Sequence, residues 1–143
     1  MKHVLFLDLR NTARSQMAEG WFNQFAEGWG QARSCGTMPG DRIDPLAVVV
    51  MAEAGVDIRH QSPKAVNQQM LSESDLVVMM GPDVYPRAFA PDRTWDFLDP
   101  TGQSVVHYRV QRDAIRRAVQ EFIADLHRRS GQHAEPALFP PVR

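Results

Sequence analysis

Short apolar runs alternate with amphipathic stretches along most of this chain, and that alternation leaves one class of fold open. Residues 3–8, HVLFLD, form a run short enough to be a buried parallel strand. Residues 14–27 then place Met17, Ala18, Trp21, Phe22 and Phe25 at helical spacing, with Gly28 and Gly30 as the stop. A second strand fits residues 31–36. Asp44-Pro45 has the chemistry of a helix start, an aspartate cap followed by a proline that has no N–H to lose; the helix it opens runs to Gly55. A short helix over 63–71, capped by Ser62, leads to a third strand at 75–80. After a proline-rich loop at 81–93, TWDFL reads as a fourth strand ending at Asp99-Pro100. The last helix, 103–129, places Val106, Val110, Ile115, Val119, Phe122, Ile123 and Leu126 largely on one side. Residues 130–143 lack a period and hold three prolines, so they read as a poorly ordered C-terminal tail.

Strands alternating with helices of this length imply right-handed crossovers, a parallel sheet and helices on both of its faces, a three-layer α/β sandwich. With 143 residues there is enough chain for one core, and residues 1–129 read as a single domain. In such sheets ligands bind beyond the carboxyl ends of the strands. Asp8, Gly36, Gly81 and Asp99 all fall near such ends.

The charge balance narrows the partners. Sixteen basic residues face seventeen acidic ones, so no overall field draws in nucleic acid or an acidic membrane, and any anion site has to be local. No apolar run approaches the ~20 residues of a membrane helix, and the apolar part of MKHVLFLDLR is too short for a signal peptide. Cys35 is the single cysteine, which excludes an internal disulfide and an all-cysteine metal site. His3, His60, His107, His127 and His133 show no metal-ligand spacing. The expectation is a cytoplasmic protein with no metal and no cofactor.

The segment LDLRNTARSQMAEG joins the first strand to the first helix. Its backbone N–H groups and the positive end of the helix can converge on one anion, through Leu9, Arg10, Asn11, Thr12, Ala13, Arg14 and Ser15. Arg14 adds a fork of donors suited to a tetrahedral oxyanion. Ser15 can cap the helix or donate inward, and Asn11 can brace the loop. On spacing alone a helix cap at Asp8 and a surface ion pair at Arg14 explain the segment equally well. The GxxxxGK[ST] spacing of a Walker loop is absent, and Arg10 stands where a haloacid-dehalogenase motif wants a second aspartate.

The run Asp8-x5-Arg14-Ser15-Gln16-Met17-Ala18-Glu19-Gly20 resembles the Cys-x5-Arg-Ser loop of the low-molecular-weight tyrosine phosphatase and arsenate reductase superfamily, in its arsenate reductase form. Asn11 matches the loop asparagine. Ser34-Cys35-Gly36-Thr37, the stretch from Asp44-Pro45 to Gly55-Val56-Asp57-Ile58, the strand Asp75-Leu76-Val77-Val78, and Trp95 through Asp99-Pro100 resemble further family segments in the same order. The resemblance covers residues 3–129. It implies a four-stranded parallel sheet in the order 2-1-3-4, phosphate, sulfate, arsenate or a phosphorylated molecule as ligand, and Asp99 as the general acid.

The resemblance also implies a nucleophilic cysteine, and Asp8 stands at that position. The resolving pair of the thioredoxin-coupled type is missing from Gly81-Pro82-Asp83-Val84-Tyr85-Pro86 as well. Three readings stay open. The chain is a non-catalytic relative, a pseudoenzyme that binds an oxyanion, a phosphorylated ligand or a protein partner. Alternatively Asp8, Arg14 and Asp99 form a catalytic set, with Asp8 as nucleophile or base. Or the chain is an engineered variant of a cysteine enzyme. Cys35 reads as a small apolar filler rather than a displaced thiol. His107, Arg116 and Arg117 read as the solvated face of the last helix.

Overall fold

The computed structural model describes residues 1–84 and 90–134. Four strands, β1 (Lys2–Asp8), β2 (Gly30–Gly36), β3 (Leu76–Met79) and β4 (Arg93–Thr94), form one parallel sheet in the order β2-β1-β3-β4. Helices α1 (Arg14–Phe25), α2 (Pro45–Glu53), α3 (Gln68–Glu73) and α4 (Val105–Ala134) connect and follow them. The expected sheet order and parallelism are what the structure has.

The period of two along β1 divides its side chains between two apolar layers. Val4 and Phe6 point into the larger one with α1, α2 and α4, where Phe6 meets Phe22, Trp95 and Phe122 at centroid distances of 6.0, 5.9 and 6.4 Å. Burying such an aromatic contributes about 2–3 kcal/mol. Leu5 and Leu7 point the other way, into a smaller layer with Cys35, Met70, Val77, Met79 and Val84. The crossovers deliver the carboxyl ends of β1, β2 and β3 to one edge of the molecule, and the loops 9–13, 37–44 and 81–84 meet there.

Asp44 caps α2 as its sequence predicts, its Oδ1 accepting from Leu46 N at 2.9 Å, and Gly55 closes that helix with φ +85°. Other expectations need correction. The short helix begins at Gln68, capped by Asn67, rather than at 63 behind Ser62. Residues 64–66 are drawn out of it because Gly36 exchanges backbone bonds with Lys64 and Val66. The fourth strand is two residues, Arg93–Thr94, rather than 94–98; Trp95 N and Phe97 N still donate to Met79 O and Met80 O. Helix α4 starts at Val105 and runs to Ala134, so residues 130–134 belong to the helix and not to a tail. The remainder of the expected tail, 135–143, and residues 85–89 of the proline-rich loop lie outside the described residues. Val106 and Val110 are exposed, and Tyr108 and Gln111 take the buried side of that turn instead. Phe25 sits at the rim, stacked 5.4 Å from Trp21.

Candidate anion cradle

The loop between β1 and α1 is held with its carbonyls turned outward. Thr37 N, Met38 N, Gly40 N and Asp44 N donate to the carbonyls of Asp8, Leu9, Arg10 and Thr12 at 2.7–3.1 Å. Gln16 Nε2 donates to Asn11 O at 2.9 Å, and Met17 N takes Ala13 O into the first turn of the helix. The carbonyls of residues 8–13 are therefore all engaged away from the loop's interior. The N–H groups are not: among the described residues nothing accepts from Leu9, Arg10, Thr12, Ala13 or Arg14. Backbone donors without acceptors are costly when shielded from water, so this loop is a set of donors awaiting an acceptor.

Asn11 makes the tight turn possible. Its φ of +54° lies in the left-handed region that asparagine tolerates better than most residues. Its Nδ2 donates to Ser15 Oγ at 2.7 Å, and its Oδ1 accepts from Lys64 N at 3.0 Å. Gly36 allows the close approach of β2, since a Cβ there would lie 2.7 Å from Leu9 O.

Asp8 sits at the base of this loop, 1% exposed. Its Oδ1 accepts from Asn11 N at 2.7 Å and its Oδ2 from Ser15 N at 3.0 Å, with Arg14 Nε 3.8 Å from Oδ2. Burial pushes the Asp8 carboxyl above the usual carboxylate range, against the pull of Arg14 and the two amides. Arg14 is equally buried. Its Nη1 donates to Asp83 Oδ1 at 2.8 Å and to Phe97 O at 2.9 Å, and its Nη2 donates to Asp83 Oδ2 at 2.8 Å. Burial works against the Arg14 charge, but Asp83, Asp8 and Asp99 together hold its proton more tightly than usual, and Arg14 in turn pulls the Asp83 carboxyl below its ordinary range.

Of the residues singled out in the sequence, the structure brings Asp8, Asn11 and Ser15 into one hydrogen-bonded cluster, with Arg14 Nε 3.8 Å from Asp8. Ser15 neither caps α1 nor reaches outward; its N–H bonds Asp8 and its hydroxyl accepts from Asn11. Asp99 lies across an open groove lined also by Arg10, Thr12, Gly40, Arg42 and Thr101. Its Oδ1 accepts from Thr101 N at 3.0 Å and Thr101 Oγ1 at 2.7 Å. Among the described residues it makes no hydrogen bond to the loop. Arg10 is exposed on the rim, Leu9 and Thr12 are half-buried, and Ala13 is buried. Cys35 is fully buried in the smaller apolar layer, and burial, with the Asp8 charge added, pushes its thiol up to about 12. His107, Arg116 and Arg117 are exposed on α4.

Asp83 was not legible as a site residue. The only hint is Gly81 two residues before it: a Cβ at 81 would lie 2.4 Å from both Arg14 Nη1 and Phe97 O, so glycine is needed for the three groups to meet. The pairing of Asp44 Oδ2 with the Tyr108 hydroxyl, at 2.5 Å, is a second long-range tie that no local pattern announces. Among the described residues no three His, Cys, Asp or Glu side chains group as a metal would require, and no helix is long and apolar enough to cross a membrane.

Fold and loop together define a three-layer α/β protein whose first crossover presents a donor-lined turn to a facing Asp-Pro loop. The chain belongs to the low molecular weight phosphotyrosine protein phosphatase family, which it matches over residues 3–132. It is 31% identical over 131 residues to the glutaredoxin arsenate reductase of a Synechocystis species, spanning 88% of this chain and 99% of that one. It is 32% identical to arsenate reductase 2 of Staphylococcus epidermidis, spanning 85% and 95%. Among solved structures it resembles the low molecular weight protein tyrosine phosphatase from T. tengcongensis, with TM-score 0.79, 25% identity and coverage of 87% and 99%. It also resembles an arsenate reductase in the phosphate binding state, with TM-score 0.78, 32% identity and coverage of 87% and 98%.

Proposed function

We propose that this chain binds a tetrahedral oxyanion, phosphate or arsenate free or on a phosphorylated ligand, in the loop of residues 9–15, and does so without cysteine catalysis. The observation that carries the reading is the polarity of the loop: carbonyls bonded outward, five N–H groups without acceptors among the described residues, and a buried guanidinium beside them. The similar arsenate reductase in its phosphate binding state supports the choice of ligand. Asp8 occupies the place where the family resemblance expects the nucleophilic thiol. Cys35 cannot stand in for it, being packed among Leu5, Leu7 and Met79 with its thiol kept protonated.

An Asp8-dependent phosphatase, with Asp99 as acid, is the weaker reading. Each Asp8 oxygen already accepts a loop amide, which dulls it as a nucleophile. Calorimetric titration with phosphate and arsenate, paired with intact mass after incubation with an aryl phosphate, separates the two. The proposal expects saturable binding, no aryl alcohol release and no mass gain. A phosphoryl adduct that disappears in Asp8→Asn would reverse it.

A further inference from the structure

The charges of the cradle imply a selectivity within the oxyanion class, which rests on the oxyanion reading. Among the described residues the loop presents chiefly donors, but it encloses the Asp8 carboxylate, whose two oxygens accept from Asn11 N, Ser15 N and the Ser15 hydroxyl and still keep a lone pair to spare. The buried positive charge is already engaged. Arg14 is paired through both terminal nitrogens with Asp83 at 2.8 Å, lies 3.8 Å from Asp8, and feels Asp99 as well. One buried guanidinium therefore answers to three carboxylates before any ligand arrives. A fully deprotonated oxyanion entering this ring would press its charge directly against an ionised Asp8, with Arg10 and Arg42 standing only at the exposed rim of the groove.

We infer that the site selects oxyanions that bring a proton, hydrogen phosphate or hydrogen arsenate, and rejects sulfate, because a ligand O–H can donate to Asp8 where a bare oxygen can only repel it. The loop amides donate to any tetrahedral oxyanion alike; Asp8 supplies the discrimination. At neutral pH inorganic phosphate and arsenate carry at least one proton and sulfate carries none. For sulfate to enter, Asp8 has to be protonated. The groups that face Asp8 and set the cost of that protonation are Arg14 on α1, Cys35 on β2, and Asp83 and Asp99 acting through Arg14.

The test is calorimetric titration of the full chain with inorganic phosphate, arsenate and sulfate at constant ionic strength. Between about pH 6.5 and 8, phosphate and arsenate are expected to bind on the order of a hundredfold more tightly than sulfate, and sulfate affinity to fall as pH rises, by up to about tenfold per pH unit. Asp8→Asn is expected to bring sulfate to within about threefold of phosphate, chiefly by gaining sulfate. The pH dependence of sulfate binding is read on the native chain, so it decides the matter even where Asp8→Asn folds poorly. Comparable phosphate and sulfate affinities in the native chain, a sulfate affinity flat in pH, or discrimination that survives Asp8→Asn each overturn the inference while leaving oxyanion binding intact. Failure of the native chain to bind any of the three overturns the oxyanion reading itself, and this selectivity with it.

Discussion

Arg14 meets Asp83 across 69 residues of chain, its two terminal nitrogens each 2.8 Å from one carboxylate oxygen. The guanidinium is 2% exposed while the Asp83 side chain is 34% exposed, so a buried cation is neutralised by a partner that solvent still reaches. The pair ties the turn after β3 to the loop after β1, and it lowers the positive charge available to a ligand.

Asp83→Asn separates those two effects. Leaving Arg14 with Asp8 and Phe97 O alone should cost about 2 kcal/mol of stability, discounted for the exposure of Asp83. Freeing the Arg14 charge should at the same time tighten phosphate binding severalfold. Urea denaturation and phosphate titration of the same variant read both; an unchanged phosphate affinity would show that Asp83 does not compete for Arg14.

Arg14→Lys keeps one charge but loses the fork. Lysine cannot donate at once to both Asp83 oxygens, to Phe97 O and to a ligand oxygen. Phosphate affinity should fall at least about tenfold, the scale of losing one charge-assisted hydrogen bond. Retention of native affinity in this variant would mean that the loop amides alone hold the anion.

Gly81→Ala places a methyl group 2.4 Å from Arg14 Nη1 and from Phe97 O. Neither group can yield without breaking a bond of the cluster, so overpacking should destabilise the chain by about 1–3 kcal/mol and weaken phosphate binding together. Thermal unfolding and titration measure the two; a tolerated alanine with native affinity would refute the need for close approach.

Cys35 should be silent toward Ellman's reagent in the native chain near neutral pH and react fully in urea. Its thiol is raised from 9.0 to about 12 by burial, with the Asp8 charge adding to the effect. Above the unfolded value the unfolded chain gives up this proton while the folded chain keeps it, so stability falls as pH rises from about 9 toward 12. The Tyr108 hydroxyl is raised too, by burial and by Asp44, and adds to the same alkaline loss. Cys35→Ala should remove the cysteine share, visible as a shallower decline of the urea midpoint with pH.

Asp8 shifts stability the same way at lower pH. Its folded carboxyl is raised above 3.8, so the protonated form favours folding and the native chain loses stability relative to Asp8→Asn as pH climbs above the ordinary carboxylate range. Urea midpoints of the two proteins compared at acid and neutral pH give the difference; equal midpoints at both would show that the amides and Arg14 fully offset burial.

The strands and helices that define the fold were legible because their signals are local. HVLFLD buries both faces of β1, Asp44-Pro45 opens α2 by its own chemistry, and the run from Asp8 to Gly20 carries the loop in consecutive residues. Local signals failed where a distant partner bid for the same backbone. Residues 64–66 follow Ser62 and Pro63, a cap and a proline suited to a helix start, yet Gly36 and Asn11 take their backbone groups, and α3 waits until Gln68 behind Asn67. Val106 and Val110 fit an apolar stripe, yet α2 packs where Tyr108 reaches Asp44, and the two valines turn outward.

Sequence by itself determined the sheet, the donor-lined loop and the carboxylate at its base, because residues within one turn of one another set those. Whether the loop's charge is free was decided by tertiary structure alone. Asp83 and Phe97 reach Arg14 only because β3 and the chain after β4 end beside the same strand edge, and a hydrogen bond across such a distance leaves no period or spacing to read. Its physical basis is the parallel sheet itself, which gathers the carboxyl ends of separate strands and sets a buried cation against carboxylates that the chain order keeps far apart.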